Sequence, residues 1–468
     1  MRVLLSLSLA LPIIASAQGQ MIIGSTEAQA ISNTLASHAV VLQTPDNIDD
    51  LVVTAPIHWN NNNSLTLAAN RNIIFMGQGS LDNTAQATVT LQSDAAAQDN
   101  GLVLIGNNAT SIQSQGQINL IEHPALGSAL PNNKDQIAGH YLQMEAIDTP
   151  NDLQNISQNL KGSYYLNQNL NMKGFIFKPM GDMSTPFSGT FIGNHHLISN
   201  LTISAAQNDN VGVFGVIGPQ GFVVDLSFDR AMIAGQNSVG ILAGVNEGHI
   251  NDISVQGEVN GVNNVGGLIG VNNRGTVQYT QATTNINASQ DFSGGLAGTN
   301  SQGTISQSSS HSNIISQGSH VGSLTGDNYE GFLKQDYAWG SVVGEDNIGG
   351  LTGGNDSGII NNCGADVTVT GLGLFIGGLS GDNVEEGVIS TSYSLSPVLQ
   401  GKSYVGGLIG HSDGTVTNSF WDIDTSHQSG SSGGLGKSDE AMRTRSTYIG
   451  WNFNTIWKMQ VYPALAAL

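Results

Sequence analysis

The chain has 468 residues, only 10% of them charged, and carries 14 Lys+Arg against 35 Asp+Glu for a formal net charge of −21. Such acidity leaves no electrostatic footprint for nucleic acid and no attraction to an anionic membrane surface; it reads as solubility. The single cysteine, Cys363, excludes an intramolecular disulfide framework, so stability has to come from packing and backbone hydrogen bonds.

In chain order, Arg2, an apolar run over residues 3–15 and Ala15-Ser16-Ala17 have the order of a secretory signal cleaved after Ala17, leaving 1–17 outside the mature fold. The run is too short to span a bilayer, and no later stretch reaches about 18 apolar residues. Residues 18–125 hold short β-prone runs, such as Leu65-Thr66-Leu67, Ile73-Ile74-Phe75 and Val89-Thr90-Leu91, between Asn- and Gly-rich turns. This predicts an irregular β-helix segment. Pro124 and Pro131 punctuate the start of 126–145, which reads as a linker. Residues 146–205 form a further β segment, with the chain's one short helix expected over 152–160 from the spacing of Leu153, Ile156 and Leu160.

From 206 to 421 one phrase returns about every 27 residues: Val265-Gly266-Gly267-Leu268-Ile269-Gly270, Ile348-Gly349-Gly350-Leu351-Thr352-Gly353, Val405-Gly406-Gly407-Leu408-Ile409-Gly410 and their equivalents. Its leucines are Leu242, Leu268, Leu296, Leu324, Leu351, Leu379 and Leu408. A second landmark is a Gly followed two residues on by a branched apolar residue, from Gly221/Val223 to Gly414/Val416. A third apolar position follows nine residues later, as in Val259, Ile286 and Val369. Three β-prone segments per period predict an all-β fold, a right-handed parallel β-helix with three sides, in which like residues stack coil over coil. Asn246, Asn272, Asn300, Asn328, Asn355 and Asn383 fall at one turn position and read as a stacked amide ladder, with a ligand-binding row as the alternative. Residues 422–468 leave the repeat, concentrate Trp451, Phe453, Trp457 and Tyr462, and read as a C-terminal cap.

Candidate chemistry is sparse. None of the eleven histidines begins His-Glu-x-x-His, the pattern that places two imidazoles and a general base on one helix. The adjacent pair His195-His196 reads as two residues on opposite sides of a strand. Gly410-His411-Ser412-Asp413-Gly414 has the spacing of a nucleophile elbow, but Ser412 stands where the other units carry Asn. Cys363 shares its repeat position with Leu226, Ile253, Thr280, Ser308, Ser392 and Ser419, and with Asp336 as the exception, which reads as an inward structural column rather than an activated thiol. Only Arg230 and Arg274 represent arginine between 206 and 421. Asp327, Asp356, Asp382, Glu385 and Glu386 read as solvated turn residues, with weak calcium binding as the alternative. No catalytic, cofactor-binding or metal residues are assigned from the sequence.

The Val-Gly-Gly-Leu-Ile-Gly phrase and its period resemble the GLUG repeat of bacterial secreted exoproteins, which also accompanies the catalytic part of IgA-specific metallopeptidases. Asp152-Leu153-Gln154, Pro186-Phe187-Ser188-Gly189-Thr190-Phe191 and His196 to Ile203 are similar to the segment that precedes such repeats, with Ile192 where that segment usually has Asp. Residues 65–73 resemble the filamentous-haemagglutinin type of β-helix. Phe420-Trp421-Asp422, Gly450-Trp451-Asn452-Phe453 and Tyr462-Pro463 resemble the usual ending of these exoproteins. The resemblance implies a secreted or outer-membrane-associated, adhesin-like protein of a Gram-negative bacterium, and the sparse candidate chemistry makes a non-catalytic role the leading expectation. Its partner would be a glycan or protein on a host or neighbouring cell. An Asn-Pro-Asn-Gly secretion motif is not found. The alternatives are a polysaccharide-active hydrolase or lyase on the same fold, and a non-catalytic module of a larger exoprotein. The signal reading predicts a secreted chain beginning at Gln18, to be checked by N-terminal sequencing; a secreted chain that retains Met1 would contradict it.

Overall fold

A computed structural model describes residues 20–95, 101–106, 111–123, 130–131, 133 and 136–468; Ala17 and the rest of the signal segment lie outside them. Two compact units divide the chain: one comprises 1–149 with 162–168, the other 150–161 with 169–468.

Both units are parallel β-solenoids. In the first, Val40–Gln43 pairs with Leu65–Ala68, that strand with Val89–Gln92, and Val89–Gln92 with Ile112–Glu122, all parallel. A second face stacks Gln20–Ile23, Asp50–Val53, Ile73–Phe75 and Val103–Ile105. Inward residues such as Leu51, Ile57, Leu65, Leu67, Phe75 and Leu91 are fully buried in one core. Two expectations are corrected. The segment read as a linker, 126–145, contains most of the strand Ile137–Ile147, which pairs with Ile112–Glu122; its inward residues are Ile137, Met144, Ala146 and Ile147. And 152–160 is not the one helix: the helix there is Pro150–Asn155 followed by a 3₁₀ turn, and an 11-residue helix, Ser25–Leu35, lies far upstream. That helix buries Ala28, Ile31 and Leu35 with Val40, Ile57 and Trp59, and the Glu27 carboxylate accepts the Gly24 N–H at 3.1 Å to hold its first turn.

In the second unit three parallel faces recur coil after coil. The first runs through Phe222–Ala234, His249–Gly261, Gln281–Ala288, Ser309–Ser316, Tyr337–Gly344 and Gly364–Gly371. The second is an eight-stranded sheet from Phe214–Ile217 to Ile409–Ser412, and the third a seven-stranded sheet from Asn237–Val239 to Ser403–Gly406. Non-glycine residues with positive φ recur at equivalent positions from coil to coil. One corner series is Asn264, Phe292, His320, Asn347, Phe375 and Tyr404, with φ between 52° and 65°.

The leucine column is continuous. Leu242 N–H donates to Leu268 O at 2.9 Å, and the same bond repeats at 2.8–3.0 Å up to Leu408, all seven side chains being fully buried. Burying side chains of this size contributes about 1.5–3 kcal/mol each. The asparagines form a second continuous column. Each Nδ2 donates to the next Oδ1 at 2.7–2.8 Å, from Asn246 through Asn272, Asn300, Asn328 and Asn355 to Asn383. The other amide hydrogen bonds the carbonyl of the following landmark glycine, for example Asn300 to Gly303 at 3.2 Å. These amides explain that glycine: a Cβ on Gly303 would lie 2.3 Å from Asn272 Nδ2 and 2.7 Å from Asn300 Oδ1.

The cap has two parts. Gly407 N–H donates to Gly430 O at 3.0 Å, and Phe420–Asp422 pairs in parallel with Leu435–Lys437, which covers the edge of the last coil. The aromatic tail instead climbs the flank. Trp451, Trp457, Met442 and Tyr448 cluster with Tyr393 and Phe420; Trp457 Nε1–H donates to Asn362 at 3.1 Å and Tyr393 O–H to Pro463 O at 2.5 Å.

From Thr280 to Ser419 the column containing Cys363 is a hydroxyl ladder in which Cys363 and Asp336 alone lack a hydroxyl. Thr280 N–H donates to Ser308 Oγ, Cys363 N–H to Ser392 Oγ and Ser392 N–H to Ser419 Oγ, at 3.1–3.2 Å. Asp336 accepts from Ser308 N–H at 2.9 Å and Lys334 N–H at 2.8 Å, and burial holds its carboxyl well above the usual range. A folded-state pKa above the unfolded value means that stability present below about pH 4 is lost as pH rises towards the folded value. Asp336→Ser, which restores the hydroxyl, should therefore raise the urea midpoint at pH 8 and change it little at pH 4. Asn300→Ala should cost about 1–3 kcal/mol through broken amide bonds, and Leu324→Asp about 3–5 kcal/mol by burying an unpaired charge; urea denaturation of each variant checks both.

Candidate functional site

The first face of the repeat unit presents aligned outward columns because strand alternation sends every second side chain away from the core. Gln281–Ala288 shows strict alternation, with Gln281, Thr283, Asn285 and Asn287 exposed. Register places Gln256, Thr283, His311, Trp339 and Asp366 in one column. Met232, Glu258, Asn285, Asn313 and Ser341 form the next. The amides are held in place by their neighbours one coil away: Asn313 Nδ2–H donates to Asn285 Oδ1 at 3.2 Å and Ser341 O–H to Asn313 Oδ1 at 2.9 Å. The His311 and Trp339 rings stack at 5.4 Å. Between these columns and the loop at Asn171, Lys173 and Gly174 runs an open groove of about 870 Å³. Its wall mixes amides and hydroxyls with Arg230, Met232 and His311, and Glu258 is the carboxylate among the residues lining it.

The residues singled out in the sequence lie elsewhere. The leucines and asparagines are internal, with no surface to offer a ligand. Ser412 ends the amide ladder by accepting from Asn383 Nδ2 at 3.1 Å, and a strand, Thr415–Thr417, follows it rather than the helix of a nucleophile elbow. Cys363 is fully buried, and burial pushes its thiol well above the usual value, opposite to activation. His195 and His196 do not straddle a regular strand: Asn194 and His195 have positive φ at a register shift. His195 there pairs with Asp225, and His196 Nδ1 lies 3.2 Å from Asn169 Oδ1.

Among the described residues one buried polar group carries metal-ligand chemistry, and a set of buried carboxylates lies apart from it. In the first unit, His123 Nδ1 lies 2.8 Å from Asp148 Oδ2 and 3.2 Å from Asp94 Oδ2, with all three side chains buried. Asn167 Nδ2–H donates to the other Asp148 oxygen at 2.8 Å, a supporting bond of the kind that orients metal-ligating carboxylates. One nitrogen and two oxygens form a donor set for a divalent ion. The sequence reading missed this set because the three residues meet only through the stacking of irregular coils.

In the repeat unit, Asp327 and Asp382 are not solvated turn residues: they are 5% and 7% exposed, while Glu385 and Glu386 are exposed as expected. Asp327 Oδ1, Asp356 Oδ1 and Asp382 Oδ1 are buried oxygens without a hydrogen-bond partner. Burial, then the charges of Asp356 and Asp382, push Asp327 up to about 8; burial and Asp356 push Asp382 up to about 7. The corner residues explain the burial. Asn264 covers Thr299, whose hydroxyl bonds it at 2.8 Å, and Asn347 bonds Asp382, each 35 residues upstream of its partner. The residue at the same offset from Asp327 is Phe292, whose ring stacks on His320 at 4.9 Å and offers no donor.

No family model matches this chain. It is 28% identical over 177 residues to a halomucin of Haloquadratum walsbyi, covering 36% of this chain and 2% of that protein. It is 41% identical over 102 residues to a candidate Gly-rich membrane protein of Evansella cellulosilytica, covering 20% of this chain and 12% of that protein. The chain thus spans a small part of the length of these relatives. Among solved structures, it resembles a candidate immunoglobulin A1 protease from Bacteroides ovatus at 18% identity and a TM-score of 0.38, over 70% of this chain and 93% of that one. Among the described residues, no helix is long and apolar enough to cross a membrane.

Proposed function

We propose that the chain is a non-catalytic, extracellular adhesin-like protein that binds a polysaccharide along the outward face of its repeat unit. The observation that carries this reading is the groove over Asn171, Arg230, Gln256, Glu258, Asn285 and His311. Its polar columns repeat at the coil spacing of about 4.8 Å, so amides and hydroxyls meet the hydroxyls of an extended chain in series. The stacked His311–Trp339 pair supplies a flat, half-apolar platform for the face of a sugar ring. Glycoside hydrolysis generally needs two carboxylates flanking the bond, and the groove lining contributes Glu258; this supports binding rather than cleavage. One relative is by name a mucin and the other by name a membrane protein, which fits display at a cell surface.

The test is binding of purified protein to a panel of soluble polysaccharides. His311→Ala combined with Gln256→Ala should weaken binding of the captured glycan about tenfold or more, by loss of stacking and hydrogen bonds of about 1.4 kcal/mol in sum. Cys363→Ala and Ser412→Ala should leave it unchanged. Depolymerisation of a bound glycan, lost on Glu258→Gln, would replace this reading with the enzymatic one.

A further inference from the structure

Three stacked strands of the first unit end on groups of one chemistry. Val89–Gln92 pairs with Ile112–Glu122, and that strand with Ile137–Ile147; Asp94, His123 and Asp148 follow directly beyond their ends. Consecutive coils thus deliver the three side chains to one point. Asp94 arrives in left-handed backbone, at φ 56°, which Asp tolerates better than most residues. Gly101 passes beside it with no room for a side chain, since a Cβ there would lie 2.6 Å from Asp94 Cβ. The side chains of Asp94 and Asp148 are 0% exposed and that of His123 6%.

The spacing suits ligands around a small ion. His123 Nδ1 faces Asp148 Oδ2 at 2.8 Å and Asp94 Oδ2 at 3.2 Å, and the three ligand atoms lie within 4.8 Å of one another. An imidazole nitrogen carries at most one hydrogen, so it serves one of the two oxygens well and the other poorly. One imidazolium also brings a single positive charge against two carboxylates. An ion in place of that hydrogen meets all three atoms. Ligands held at about 2.0–2.2 Å by a tetrahedral ion stand about 3.3–3.6 Å apart, so seating one asks for shifts of about half an ångström. The Asp148 carboxylate is already oriented from behind by Asn167 Nδ2–H at 2.8 Å, and Gln168 Nε2–H donates to the Asp148 carbonyl at 2.8 Å.

We propose that Asp94, His123 and Asp148 bind a zinc ion that clamps three consecutive coils of the first unit. One imidazole and two carboxylates are zinc ligands, and three protein ligands leave a fourth position for water. Calcium asks for six to eight oxygens at longer distances, and the same ligands hold manganese more weakly than zinc. The clamp falls in the unit that lacks the recurring Gly-Gly-Leu phrase.

The test is zinc chloride titrated into the purified full chain after dialysis against EDTA, followed by calorimetry, metal analysis after desalting, and melting. The expected result is about one tightly held zinc per chain and a higher melting temperature with zinc than without. His123→Gln and Asp148→Asn should lose both effects. Asn167→Ala, which removes only the support of Asp148, should weaken zinc binding about 10–100-fold. His195→Gln, which alters an exposed pair with Asp225, should change nothing. Circular dichroism identifies the folded variants, and where one fails to fold the others decide. Absence of a tight site in the natural sequence would overturn the proposal. So would full zinc binding by a folded His123→Gln or Asp148→Asn protein, or uptake of manganese in preference to zinc from an equal mixture.

Discussion

Every side chain in the repeat unit has its own equivalent as a neighbour one coil away. Parallel stacking at fixed register imposes this, and whatever a position holds it holds as a column. A leucine column buries apolar surface continuously. An asparagine column works because an amide is both donor and acceptor, so each member satisfies the next without leaving a polar atom stranded. A carboxylate cannot do the same. Where Asp336 enters the hydroxyl ladder it accepts two backbone N–H groups, and where Asp327 enters an outward column it keeps an oxygen without a partner. The polar irregularities of the fold are thus the positions that break columnar self-complementarity, and they are where chemistry beyond structure is to be sought.

What could be read from the sequence follows the same logic. The leucine and asparagine columns were visible because their spacing stays within 26–29 residues, and the landmark glycines because the amides forbid a Cβ. The first unit was harder. Its matched positions Val40, Leu65, Val89, Ile118 and Tyr141 are unevenly spaced and share no phrase, so the strand inside 126–145 and the meeting of Asp94, His123 and Asp148 were hidden. The corners were hidden for another reason. Left-handed backbone suggests Gly or Asn, yet Phe292, Phe375 and Tyr404 occupy such positions. Neighbouring rings pack there, Phe375 tilted against Tyr404 at 5.1 Å, so packing offsets a local preference. Burial at this sheet is not visible in the spacing either, so Asp327 and Asp382 read as solvated although they are buried.

The outward groove and the buried carboxylates lie on different faces of the repeat unit. The first face repeats a neutral polar pattern and varies at the surface, where Met232, Glu258, Asn285 and Asn313 follow one another in a single column. Asp327 and Asp382 sit on a different sheet, buried, where a change affects cohesion between coils rather than the exposed pattern. The aromatic tail adds a third restraint: Trp457 and Pro463 reach Asn362 and Tyr393, so it fastens coils that precede the last one.

The end of the amide ladder at Ser412 has an evolutionary consequence. A serine hydroxyl accepts the last amide hydrogen but does not present the next coil with an amide, so the array has a built terminus. Every coil before it offers matching upper and lower surfaces. Duplicating or deleting one unit of about 27 residues between Asn246 and Asn383 would leave all columns in register, lengthening or shortening the array by one strand spacing of about 4.8 Å. Reach can therefore change in discrete steps within a lineage while the ends, and what they cover, stay the same.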